Sequence, residues 1–110
     1  MKEDSVYLNH ILDCIERIEV DVAGGYDSFI TSHTHQDAVL RNLQVLAEST
    51  QRLTSEIKAC QPEINWREIA AFRNVLVHDY LGIDLEAIWE ISQRDIPKLK
   101  QAVLSMLGPS

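Results

Sequence analysis

Residues 36–57 read QDAVLRNLQVLAESTQRLTSEI, and the spacing of their apolar side chains decides the fold class. Val39, Leu43, Leu46, Thr50, Leu53 and Ile57 recur at alternating steps of four and three, the repeat of a helix that buries a seam against another helix. Ala38, Leu40, Val45 and Ala47 lie off that seam, so the helix is apolar on more than one face and touches two neighbours, one of which can be a second subunit. The spacing predicts one long helix from near Thr34 toward Cys60, ended by Pro62.

The same period governs the rest of the chain. Leu8, Ile11, Leu12, Ile15 and Ile18 form one apolar stripe on a helix from about Asp4 to Val20, which Gly24-Gly25 ends. Asn65 suits the N-cap of a helix from Trp66 to about Tyr80, with Glu68 in its first turn and Gly82 as its stop. Asp84 opens a helix holding Leu85, Ile88, Trp89 and Ile91, and Asp95 with Pro97 opens a last one through Leu99, Val103 and Leu107. No β-branched/polar alternation and no Asn-Gly or Asp-Gly hairpin turn competes. The expected architecture is all-α, an up-and-down bundle of four to five helices that forms a homodimer, with residues 1–110 as a single domain and a frayed tail over 107–110.

Composition narrows the function. The 110 residues, 45% hydrophobic and 25% charged, suit one globular core and are too few for separate cofactor and substrate modules. Ten Lys and Arg against 17 Asp and Glu give a net charge of -7, so the overall field repels nucleic acid and anionic membrane, and phosphate binding needs a local cationic pocket. No secretory leader pattern or membrane-length apolar run is read, and the cytoplasm is the expected compartment. Cys14 and Cys60 read as free thiols. His33-Thr34-His35 lacks a further ligand at a standard spacing, so neither a metal nor a cofactor is expected.

Functional side-chain types concentrate in Arg73-Asn74-Val75-Leu76-Val77-His78-Asp79-Tyr80. At about 100° per residue, Trp66, Ile69, Phe72 and Leu76 gather on one side of the helix, whereas Asn74 and His78 stack four residues apart on another. Tyr80 returns to within about 20° of Arg73. A guanidinium can clamp a phosphate through two parallel bonds and an imidazole can move a proton near neutral pH, which together suit phosphodiester chemistry. The competing reading pairs Arg73 with an acidic neighbour, Asp79 or Glu48, and leaves His78 as a solvated residue complementing the helix dipole. Glu48, beside the seam of the long helix, requires a partner if buried, and Arg73 is the candidate. Trp66 and Trp89 read as packing residues and His10 as solvated.

The stretch Ile64 to Tyr80 resembles the signature of the HepT-like toxins of the HEPN superfamily, whose motif is Arg, four residues, His, any residue, Tyr; here these are Arg73, His78 and Tyr80. Gln36 to Leu43 with Ala47-Glu48 is similar to the second-helix pattern of that family, and Ile83 to Trp89 to its fourth-helix entry, so the resemblance spans nearly the whole chain. Ser49 departs from it, standing where a small apolar residue is expected. The resemblance implies a homodimeric, metal-independent endoribonuclease, the toxin of a type VII-like toxin-antitoxin pair, acting on RNA rather than DNA beside a minimal nucleotidyltransferase antitoxin. It further implies that this partner attaches AMP to the motif tyrosine, Tyr80. Arg73, His78 and Asn74 are then the expected catalytic residues, with Glu48 and Asp79 in support. The alternative is a non-catalytic helical subunit that holds the nucleotidyltransferase in complex or binds a nucleotide.

Overall fold

The computed structural model describes residues 2–78 and 82–108, and these are mostly helical, with no strand among them. The order is α1 (Lys2–Val22), α2 (Tyr26–Thr31), α3 (His33–Gln51), α4 (Ser55–Ala59), α5 (Trp66–His78), α6 (Leu85–Glu90) and α7 (Ile96–Leu107). The all-α class read from the spacing is the one observed. Helix α3 is central: it packs along α1 on one flank and α5 on the other, while α7 closes over α1.

The two seams meet as expected. Leu8, Ile11, Ile15 and Ile18 of α1 and Val39, Leu43 and Leu46 of α3 are all essentially solvent-free and join Leu76, Ile88, Leu99 and Val103 in one core. Cys14 is buried in that core, where burial pushes its thiol above the ordinary value and keeps it protonated; Cys60 is exposed, and both are free.

The long second helix does not reach Cys60. It ends at Gln51, and the chain restarts as α4, because a buried carboxylate takes over the backbone at the break. Asp4 Oδ1 accepts from the Thr54 N–H at 2.9 Å and Oδ2 from its hydroxyl at 2.7 Å, so that N–H is withdrawn from the helical ladder. Thr54 Oγ1 in turn accepts from the Ile57 N–H at 3.3 Å and caps α4. These two bonds to Thr54 hold the Asp4 carboxyl below its ordinary value although it is buried. Ile57, the last residue of the seam, therefore belongs to a separate short helix and is only half-buried.

Helix α2 has no counterpart in the spacing, which gives Phe29 no periodic partners. Its position comes from tertiary bonds. The buried Gln36 side chain donates to the carbonyls of Phe29 and Ile30 at 3.1 and 3.0 Å, satisfying helix-end acceptors, and Gly25 enters the turn at φ 94°, a conformation that favours glycine. Phe29 is completely buried, 5.7 Å from the Trp89 ring, and Tyr26 meets the same indole edge-on at 5.6 Å. Burial first, and Glu86 second, push the Tyr26 phenol above its ordinary value, so it stays protonated and donates to Glu86 at 3.3 Å.

The expected caps at Asn65 and Asp84 are formed: Asn65 Oδ1 accepts from the Glu68 N–H at 3.1 Å, and Asp84 Oδ1 from that of Glu86 at 3.0 Å. The expected start at Asp95 is not. Asp95 is itself helical and caps nothing, because α6 runs into α7 through one π-helical turn, Ile91–Asp95. Pro97 has no N–H to donate, and the wider turn carries the chain past it without a break.

Candidate functional site

Helix α5 docks on α3 through Leu76, which is buried, and through Trp66, Ile69 and Phe72, which are partly buried. Trp66 is fixed at the helix entry by donating from Nε1 to the Lys58 carbonyl at 3.2 Å, and it and Trp89 are packing residues as read. Docking through these four side chains turns the opposite side of α5 outward, so Asn74 and His78 are exposed, as are Val75 and Val77.

Arg73 lies between the two faces. One terminal nitrogen, Nη1, donates to Asn74 Oδ1 at 3.4 Å, and the other, Nη2, stands 3.9 Å from Glu48 Oε2 on α3. Its Nε is buried and has no hydrogen-bond partner among the described residues. A guanidinium in this state is held loosely on two sides by its neighbours and keeps donor capacity in hand. Glu48 has two readings, a carboxylate that orients Arg73 or one on a partly exposed face; its side chain is 46% exposed and still meets Arg73, so the contact reflects position across the α3/α5 groove rather than relief of a buried charge.

The His78 side chain, in the last described turn of α5, makes no hydrogen bond or ion pair among the described residues. Arg73 and His78 belong to different sides of one helix, so the described residues of a single chain do not bring the two side chains together. Asp79 and Tyr80 lie outside the described residues.

The two histidines in the first turn of α3 separate: His33 is exposed, and His35 Nδ1 meets Asp21 Oδ1 at 3.1 Å. Among the described residues, no group of three or more His, Cys, Asp and Glu side chains is arranged to hold a metal ion. No helix among them is long and apolar enough to cross a membrane. One cluster was missed at the level of sequence. Tyr7, Arg41 and Arg52 gather beside Glu48 around an open pocket of about 350 Å³, and the only linear signal for it is that 41 and 52 are three helical turns apart.

The family model Ribonuclease HepT-like matches residues 11–106, nearly the full helical core and all of α5. The chain belongs to the HepT-like ribonuclease family. A protein of Thermococcus cleftensis named "Probable ribonuclease HepT" is 36% identical over 95 residues, covering 86% of each chain. One of Caldanaerobacter subterraneus subsp. tengcongensis, "Putative RNase TTE0752", is 32% identical over 108 residues, 97% of this chain and 96% of its own length. A third, of Methanocaldococcus jannaschii, "Gamma-glutamylcyclotransferase and putative RNase MJ0434", is 39% identical over 107 residues. This chain spans 96% of its own length in that match but about half (48%) of that relative. No solved structure matches the chain.

Proposed function

We propose that this HepT-like chain is a metal-independent endoribonuclease, that it acts as a cytoplasmic homodimer, and that Arg73, His78 and Asn74 are its catalytic residues. The observation that supports this best is the state of Arg73: half-buried, loosely held by Glu48 and Asn74, with a buried Nε that has no partner among the described residues. A guanidinium poised in this way suits an incoming phosphate better than it suits a structural ion pair.

In the proposed reaction the 2'-hydroxyl of the RNA attacks the adjacent phosphorus and loses its proton to a base. The bond to the 5'-oxygen breaks as an acid protonates that oxygen, leaving a 2',3'-cyclic phosphate. The positive charge of Arg73 stabilises the phosphorane. One imidazole does not readily serve as base and acid in the same step. A two-fold dimer that joined the exposed ends of two α5 helices would set two His78 and two Arg73 around one cleft, with Val75 and Val77 as its apolar contact. Glu48 then orients Arg73, and Asp79 is assigned a supporting role.

Regulation follows from the resemblance of the Arg73-x4-His78-x-Tyr80 spacing to the HepT-like motif. A cognate nucleotidyltransferase antitoxin would direct the Tyr80 hydroxyl onto the α-phosphorus of ATP, with loss of the phenolic proton and release of pyrophosphate. The attached AMP would fill the cationic site meant for RNA.

Purified protein incubated with RNA in EDTA tests the activity. Cleavage by the wild type and its loss in His78→Ala is the expected result; equal cleavage by both proteins would reject the assignment. Incubation with the partner, ATP and Mg²⁺ should add AMP by mass spectrometry, and Tyr80→Phe should prevent it. A label on Tyr7 or Tyr26 instead would reject covalent control at this position.

A further inference from the structure

One flank of α3 mixes exposed charges with the buried Ser49 and with Val45, which packs against the core. Arg41, Val45, Glu48, Ser49 and Arg52 fall within about 100° of arc, opposite Val39, Leu43 and Leu46. With Tyr7 of α1 they line the open pocket of about 350 Å³. Arg41 and Arg52 are exposed and form no ion pair among the described residues. Glu48, the carboxylate in the lining, is approached by Arg73 from the other side at 3.9 Å. Two guanidiniums therefore line the pocket with one carboxylate, and a third reaches that carboxylate from outside the pocket, in a chain whose net charge is -7. That local excess of positive charge is the cationic pocket which the overall charge requires of any phosphate binder.

The two arginines are about 16 Å apart along the helix axis, more than the spacing between neighbouring phosphates of a strand. Tyr7, half-buried at the pocket wall with His10 edge-on at 5.9 Å, adds an aromatic ring of the kind on which an unpaired base stacks. We infer that this pocket binds single-stranded RNA beside the scissile phosphate, with Arg41 and Arg52 holding backbone phosphates and Tyr7 stacking on a base. The inference rests on the ribonuclease reading for the identity of its ligand. It assigns to α1 and α3 a strand-binding role separate from the α5 chemistry.

The test is fluorescence anisotropy with a labelled single-stranded RNA of about 15 nucleotides, within the range of single-strand site sizes. All the full-length proteins carry His78→Ala, so that nothing is cut. Adding Arg41→Ala and Arg52→Ala together should weaken binding at least about tenfold and reduce the slope of log affinity against log salt by about 1.4, about 0.7 for each phosphate contact. Tyr7→Leu should weaken binding and leave that slope unchanged. Arg94→Ala removes a guanidinium that already pairs with Glu90 at 3.6 Å and should change neither. Circular dichroism establishes that each variant folds. Unchanged affinity and slope in the double variant would overturn the inference, as would an equal loss from Arg94→Ala, which would mean general charge attraction. A change in sedimentation without a change in slope would also overturn it and make this face a contact between copies. Because binding is read without cleavage, a protein that binds as described yet cuts no RNA would remove the ribonuclease reading and leave the strand pocket standing.

Discussion

Replacing Arg73 by Met separates a functional guanidinium from a structural one. The Arg73–Glu48 contact is at the outer limit of an ion pair, 3.9 Å, with side chains 31% and 46% exposed, and such a pair contributes from zero to about 1 kcal/mol. Against it stands the buried Nε without a partner among the described residues, a kind of group that costs about 1–3 kcal/mol to leave unsatisfied. Methionine keeps much of the apolar stem and removes both the pair and the orphan donor. The difference favours the variant by about 1 kcal/mol, which for a chain of this size raises the melting temperature by about 4 °C. Catalysis should move the other way, losing about 2.7–4 kcal/mol of transition-state stabilisation, or roughly 10²–10³ in rate. Urea denaturation followed by circular dichroism, in a double-mutant cycle with Glu48→Gln, measures the first quantity, and RNA cleavage under single-turnover conditions the second. A variant destabilised by more than about 2 kcal/mol, twice the most such a pair contributes, would refute the reasoning and make Arg73 a structural clamp.

Truncating exposed His78 to Ala should change stability by no more than about 0.5 kcal/mol and lower cleavage by roughly 10²–10⁴, measured on the same preparations. Phe29→Ala should cost about 3–5 kcal/mol in denaturant titration, because its ring is wholly buried against Trp89; a cost near zero would mean that α2 does not seal the core. Asp4 has a folded-state pKa below its unfolded value of 3.8, so its contribution is complete above pH 3.8 and is lost as pH falls through the lower folded value. Asp4→Asn should therefore be less stable than the wild type at neutral pH, and the gap should narrow in acid; a constant gap would show that the carboxylate charge plays no part. Sedimentation at micromolar concentration should give a dimer, and a strict monomer would remove the two-histidine mechanism.

Much of this protein follows from the local order of its residues. The steps of three and four from Leu8 to Ile18 and from Val39 to Thr50 dictate two helices, the second apolar on more than one face, and burying their apolar sides against each other leaves an all-α core as the outcome. The caps at Asn65 and Asp84 and the outward side of α5 are equally local, since they depend on side chains within one turn of each other and on a fixed angle per residue. What linear order does not contain is any contact across large separations. The break after Gln51 depends on Asp4, 50 residues from Thr54, and Phe29 of helix α2 packs on Trp89 from the far end of the chain. The passage of α6 into α7 through a π turn overrides the separate helix start that Asp95 and Pro97 suggest, because core burial of Ile88, Ile96 and Leu99 favours one continuous helix. The meeting of Arg73 with Glu48, and of Arg41 and Arg52 with Tyr7, likewise exists only once α3 is clasped between α1 and α5. Periodicity fixes which face of a helix is buried, whereas the groups facing one another across a groove are set by how the helices dock.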